Sequence, residues 1–266
     1  NTARASRVAR RLIAEARRLD ARAGALAEDW LTELERVEPV PAAELLQEGA
    51  DILDIGGESS RPGAQAISAE EELRRVLPVI EALAADGIPI SVDTVKPEVM
   101  RRAVAAGAAI INDIAALRAP GALAAAAESG AAVCLMHMQA DPRYGDVVAE
   151  VRDFLAQRVA AAQAAGMPTE RIIVDPGFGF GKRLAHNLAL LRQLGRFCDL
   201  GACVLAGLSR KSMLGEITGR KVSLRDTASV AAALLAARNG ARILRVHDVA
   251  ATKDALAVWT AVDNQE

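Results

Sequence analysis

A chain of 266 residues fits one large α/β domain, since barrels of that class run to about 250 residues. Hydrophobic residues make up 52% and aromatic residues only 3%, so the core has to be built of Ala, Val, Leu and Ile. A net charge of −2 excludes the broad basic surface of a general nucleic-acid binder, and no run of 18 apolar residues or signal-peptide pattern marks a membrane or secreted chain.

Residues 1–41 read as an atypical Arg- and Ala-rich segment, helical over 3–36, where Val8, Leu12, Leu19, Leu26, Trp30 and Leu34 recur near helical spacing. Seven arginines between Arg4 and Arg22 give it a basic face, read as solvated. The chain opens on Asn1 rather than Met, as a processed, trimmed or incompletely represented sequence does. Pro39 and Pro41 interrupt the helix, and residues 42–266 then read as one domain.

A short helix is expected at 42–47, and Gly49 leads into DILDIGGESSRPGAQ, where Ile52, Leu53 and Ile55 suit a buried parallel strand. Further strands are predicted at 88–92, 108–111, 131–136, 171–174, 202–206 and 241–244. Helices are predicted at 69–85, 96–105, 120–129, 146–165, 186–194, 224–239 and 252–262, with a glycine before several strands as a stop signal. Alternation of this kind is the mark of parallel βα units; seven strands are one short of a closed TIM (β/α)8 barrel.

Polar residues fall at the strand ends: Asp54 and Glu58, Asp93, Asn112, His137, Asp175, Ser209 with Lys211, then Arg245 with His247. That is the end of an α/β sheet which carries its site. Buried carboxylates beside Asn and Lys suit a flat heterocycle with amino, imino and carbonyl groups, because Asp accepts from N–H while Asn and Lys donate. Arg61, Arg245 and His247, near the hydroxyls of Ser59 and Ser60, suit an anion, which arginine clamps bidentately. Ser212 opens the segment after Lys211, and a helix starting there would favour an anion too.

Other motifs carry less. GFGFGK has neither the glycine spacing nor the following Ser/Thr of a phosphate loop, and it lacks the acidic partner of a dinucleotide fold. His137, His186 and His247 do not cluster as metal ligands, and His186 reads as a helix cap. Cys134, Cys198 and Cys203 are odd in number and read as reduced, buried thiols of a cytoplasmic protein.

DILDIGGESSRPGA, ISVDT, IINDI, VCLMHMQ, IIVDPGFGFGK followed by HNLALL, LAGLSRKSMLG and RVHDV stand in the order seen in dihydropteroate synthases, which the chain resembles over about residues 42–262. The resemblance implies a TIM barrel, a homodimer, and a Mg²⁺-dependent transferase of folate biosynthesis that sulfonamides target. Its substrates would be 6-hydroxymethyl-7,8-dihydropterin diphosphate and p-aminobenzoate, its products 7,8-dihydropteroate and diphosphate. By motif position, Asp93, Asn112, Met136, Asp175, Phe180, Gly207, Lys211 and Arg245 would bind the pterin. Ser59, Ser60, Arg61, Pro62, Ser212, Arg245 and His247 would bind p-aminobenzoate and diphosphate. The groups implied in catalysis are Lys211, Arg245, His247, Asp93 and Arg61, with Asp93 and Asp175 ionised.

One departure stands out. The family opens on a strand followed by Asn-Val-Thr-Pro-Asp-Ser-Phe, whose Asn helps hold Mg²⁺; here that segment is not found, and the metal ligands stay unassigned. Two alternatives follow: a degenerate pterin-binding homologue with reduced or no catalysis, or a barrel like the methyltetrahydrofolate methyltransferases. The second would not explain ESSRPG and SRKS.

Overall fold

The computed structural model describes residues 42–59 and 65–263. The helix expected over 3–36 and the loop residues Ser60, Arg61 and Pro62 lie outside them. The described chain falls into two compact units, one of residues 42–134 and 162–172, the other of residues 135–161 and 173–263.

The first unit begins with helix α1 (Ala42–Gln47) and strand β1 (Leu53–Gly56). Then follow α2 (Ala69–Ala85), β2 (Ile90–Asp93), α3 (Pro97–Ala105), β3 (Ile110–Asp113) and α4 (Ala122–Ser129). Strand β4 (Ala132–Met136), helix α5 (Val147–Ala164) and, after a single 3₁₀ turn at Thr169–Arg171, β5 (Ile172–Asp175) each have residues in both units. β1, β2 and β3 pair in parallel, Gly56 opposite Asp93 and Asp93 opposite Asn112. Every residue of β2 and β3 is buried, so these strands lack the polar-out alternation of a half-exposed sheet. Val76, Ile80 and Leu83 of α2 and Val99, Met100 and Ala103 of α3 are buried with them. Each fully buried Val, Leu or Ile contributes roughly 1.5–3 kcal/mol. Ser68 caps α2, its Oγ accepting the Glu71 amide at 3.1 Å.

The second unit continues with α6 (Leu184–Arg192), α7 (Gly195–Cys198), β6 (Cys203–Ala206), α8 (Ser212–Thr218), α9 (Asp226–Arg238), β7 (Ile243–Leu244) and α10 (Val249–Asp263). β5, β6 and β7 are parallel neighbours in that order, with Val174 opposite Val204 and Ala206 opposite Leu244. α9 packs on α10. Small residues carry much of this packing, as the low aromatic content requires: Ala232, Ala233, Ala236 and Ala237 of α9 are all buried.

The βα alternation and all seven expected strands are present. β4, β6 and β7 end where expected, while β2, β3 and β5 run one or two residues further: Asp93, Asn112 and Asp175 are strand residues rather than the first residues of loops. Helix α8 starts at Ser212, where the sequence raised that possibility; helix α7 and the 3₁₀ turns at Thr169–Arg171 and Val222–Leu224 were not anticipated, being too short to show a helical period. His186 performs the capping role expected of it, its Nδ1 accepting the Arg183 amide at 3.2 Å.

Candidate functional site

In the first unit the site residues stand where β1, β2 and β3 end. Gly56 makes room for Asp93: a Cβ at 56 would lie 3.4 Å from Asp93 Cβ. Asp93 and Asn112 are register neighbours and both are buried. Asp54 Oδ2 accepts from Asn112 Nδ2 at 3.1 Å, which orients the amide. Asp113, one residue on, is structural. Its fully buried carboxylate accepts the Ala115 amide at 2.6 Å and the Leu117 amide at 2.9 Å, holding a turn in which Ala116 and Leu117 have φ of 55° and 56°.

Beside them lies a charged cluster that sequence reasoning missed. Lys96 Nζ bonds both to Glu58 and to Glu72, the latter at 2.5 Å. Glu72 is 1% exposed, so its charge has left water and depends on Lys96. Desolvation pulls the Lys96 ammonium down, but its hydrogen bonds to the two carboxylates prevail and raise its pKa. Glu58 Oε2 also accepts the Ile67 amide at 3.5 Å, so one carboxylate ties together the two ends of the loop between them. Ser59, Asp93 and this trio line a small cavity of about 40 Å³.

In the second unit β5 delivers Asp175, which is 7% exposed. Burial pushes its carboxyl up; the Gly177 amide, donating to Oδ1 at 2.7 Å, and the cations Lys211, Lys182 and Arg245 oppose that. An ionised Asp175 therefore depends on these donors. Phe180 follows in the glycine-rich loop, with Lys211 Nζ 4.1 Å from its ring centroid, a cation–π distance. Met136, the last residue of β4, is buried. Gly207 and Arg245 follow the paired ends of β6 and β7, and a Cβ at 207 would lie 3.8 Å from Arg245 Cβ.

The segment carrying Lys211 and Ser212 is pinned from α9. Arg210 has φ of 56°, a strained value for a side chain of its size. Its amide donates to Ser229 Oγ at 2.9 Å, its Nε to Asp226 at 2.8 Å, and its carbonyl accepts from Arg225 Nη1 at 3.0 Å. Lys211 is the N-cap of α8 and Ser212 its first residue. His247 Nδ1 lies 2.8 Å from Ser209 Oγ. Partial desolvation pushes the imidazole down to about 4; although much of the residue is open to solvent, the adjacent cations Arg210, Arg245 and Lys211 act the same way, against Asp226. His247 is thus neutral near pH 7 and contributes hydrogen bonds rather than positive charge.

Among the described residues no group of three His, Cys, Asp or Glu gathers as a metal site. No helix among them is long and apolar enough to cross a membrane. The three cysteines are free thiols, but only Cys134 is buried as expected, Cys203 being half-buried and Cys198, at the end of α7, exposed.

Residues 31–247 match the model of the family described as pterin binding enzyme. The chain is 50% identical over 225 residues to the dihydropteroate synthase of Escherichia coli K12, covering 82% of this chain and 80% of that protein. It is 51% identical over 234 residues to that of Neisseria meningitidis serogroup C, covering 83% and 82%. The Xanthomonas albilineans dihydropteroate synthase, solved with 4-aminobenzoic acid, superposes with a TM-score of 0.82 at 60% identity, over 84% of this chain and 83% of that one. The same enzyme in complex with 7,8-dihydropteroate gives 0.80 at 58%, covering 84% and 86%. The Yersinia pestis enzyme with a sulfonamide drug complex gives 0.81 at 45%, covering 84% of each.

Proposed function

We infer the function from one premise: the chain belongs to the dihydropteroate synthase family of pterin-binding enzymes, with their TIM-barrel fold. It is a transferase of folate biosynthesis that condenses 6-hydroxymethyl-7,8-dihydropterin diphosphate with p-aminobenzoate, and a sulfonamide target. The observation that carries the reading at residue level is the series of polar groups at the strand ends, with the buried Asp175 held by a backbone amide and three cations.

By motif position the proposed pterin contacts are Asp93, Asn112, Met136, Asp175, Phe180, Gly207, Lys211 and Arg245. Asp175 and Asp93 accept from the amino and ring N–H groups, Asn112 and Lys211 meet the carbonyl and ring nitrogen, and Phe180 and Met136 give apolar cover. An unmatched buried partner in such a set costs about 1–3 kcal/mol, which makes the pocket selective. In the reaction the C–O bond between the pterin methylene and diphosphate breaks, the leaving oxygen taking the electron pair. The lone pair of the arylamine forms the C–N bond, and the amine proton passes to solvent or diphosphate. Lys211 and Arg245 stabilise the departing charge, Ser59, Ser60, Arg61, Pro62 and Ser212 hold p-aminobenzoate and phosphate oxygens, and the neutral His247 donates through Nε2.

Mg²⁺, when bound with the diphosphate, would neutralise part of the charge on the leaving group. Among the described residues no cluster of carboxylates, histidines or cysteines forms a preformed metal cage. A homodimer is proposed on exposed apolar surface: Leu235 of α9 and Val258 and Val262 of α10 are 47%, 67% and 71% exposed. A cytoplasmic location agrees with the three free thiols.

The test is to supply both substrates with Mg²⁺ and follow diphosphate release against dihydropteroate formed. Equal amounts of the two are expected. Pterin binding with no diphosphate released would favour a degenerate pterin-binding homologue instead.

A further inference from the structure

We propose that Lys182 is a positioning residue for pterin binding: it stitches the loop after β4 to the loop after β5 and so holds Phe180 against Lys211. The inference rests on the pterin-binding reading above.

The Lys182 side chain is 9% exposed. Its Nζ lies 2.9 Å from the Gly177 carbonyl oxygen, 3.0 Å from that of Phe180, 3.3 Å from that of His137 and 3.0 Å from His137 Nδ1. Two of these acceptors belong to the loop after β5 and two to the residue that follows β4, so one nitrogen is the meeting point of both loops. The loops touch backbone to backbone at two places. Gly177 and Gly181 have φ of 71° and 61°, and a Cβ on them would stand 1.9 Å from the His137 oxygen and 1.8 Å from the Gln139 oxygen. So close an approach turns carbonyls inward, away from water, and buried carbonyls need donors. Lys182 supplies them.

Asn187, 1% exposed, completes the tie. Its Oδ1 accepts the Gly179 amide at 2.8 Å, and its Nδ2 donates to the carbonyls of Lys182 and Arg183 at 3.2 and 3.0 Å. With the loop fixed, Phe180 meets the Lys211 ammonium, and Gly179 leaves the stem of Lys211 just enough room: a Cβ at 179 would lie 3.1 Å from its Cδ. Lys182 therefore acts through its neighbours, its hydrogen bonds being spent inside the protein. Burial pulls its pKa down to about 7, with Asp175 opposing and Lys211 adding to the shift. The geometry accommodates both protonation states, because a neutral amine can accept from a protonated His137 Nδ1 and still donate twice.

The test titrates the pterin diphosphate against wild type, Lys182→Met and Asn187→Ala. Steady-state kinetics in both substrates and amide exchange of residues 177–182 accompany it. For Lys182→Met, pterin affinity is expected to fall about tenfold or more, roughly 1.4 kcal/mol, while KM for p-aminobenzoate changes less than about twofold. Exchange across the loop should accelerate. Asn187→Ala unties the same loop from the other side and should give the same selective loss, which decides the matter if Lys182→Met does not fold. Unchanged pterin affinity in either folded variant, or an equal loss toward both substrates, overturns the inference and leaves the proposed function standing. A wild type that binds no pterin sinks the proposed function instead. The exchange rates then decide alone: accelerated exchange upholds the tie and unaccelerated exchange overturns it.

Discussion

Each unit contains a lysine drawn into the fold, Lys96 half-buried and Lys182 buried, and the two are held by opposite means. Lys96 in the first unit is bound by two carboxylates, and its pKa is raised; Lys182 in the second is bound by carbonyl oxygens and an imidazole, and its pKa falls to about 7. In the first case charge answers charge over 24 and 38 residues of chain. In the second, neutral dipoles gathered by closely packed loops do the work. The comparison teaches that a lysine ammonium drawn into the fold can be either one member of an ion cluster or a tie between backbones, and the two should fail differently.

The most damaging change should be steric. Gly177→Ala or Gly181→Ala drives a methyl into a carbonyl oxygen and should cost more than about 4 kcal/mol in urea unfolding, or prevent folding. Gly87→Ala is the control: its φ is also positive, at 74°, but nothing lies within 4 Å, so only the backbone strain of about 1–2 kcal/mol is expected. Next comes charge. Lys96→Met strands the buried Glu72 carboxylate and should cost about 3 kcal/mol, most of it recovered when Glu72 becomes Leu as well. No recovery in the double variant would refute the ion-cluster account of the first unit.

A pH titration separates the two lysines further. Lys182 has its folded pKa depressed from 10.5 to about 7, so between those values the unfolded chain holds a proton that the folded chain has released. Its contribution to stability therefore rises from about pH 7 toward pH 10. Lys96 has its pKa raised, so its contribution is complete below its ordinary 10.5 and is lost only as the pH climbs through the higher folded value. The unfolding free energy of wild type relative to Lys182→Met should accordingly grow, on the order of 1–3 kcal/mol, between about pH 7 and 9.5. Wild type relative to Lys96→Met should stay level over the same range. The smallest effect is expected at Glu71, paired with Arg74 and Arg75 on the exposed face of α2. Glu71→Gln should leave the urea midpoint nearly unchanged, and added salt should erase any difference.

The same contrast marks how far the sequence could be read. Runs such as ILDI, ISV and IIV expose the strands, and polar residues in or just after the runs mark the end that bears the site. The strands extend one residue further than the apolar runs suggest, because backbone pairing continues through Asp93 and Asn112 whatever their side chains. Lys96 looked like the start of a helix and Glu72 like one more acid on a helix face. Nothing local signals that chain folding brings them together. Lys182 was visible only as the last residue of a glycine-rich string that fails as a phosphate loop, since its contacts with the carbonyl and imidazole of His137 exist only after the two loops meet. Arg210 stood in the sequence between Ser209 and Lys211, but its strained backbone and its anchors Asp226 and Ser229 were not legible there.

Titrating the pterin diphosphate into wild type and into Asp175→Asn addresses the central claim most directly. Asp175 is buried, already held by the Gly177 amide, and assigned to accept from the pterin's N–H groups. Saturable binding to wild type, weakened about tenfold or more in a folded Asp175→Asn, is the expected result, on the order of 1.4 kcal/mol. Equal affinity for the two proteins would remove Asp175 from the pocket and contradict the account.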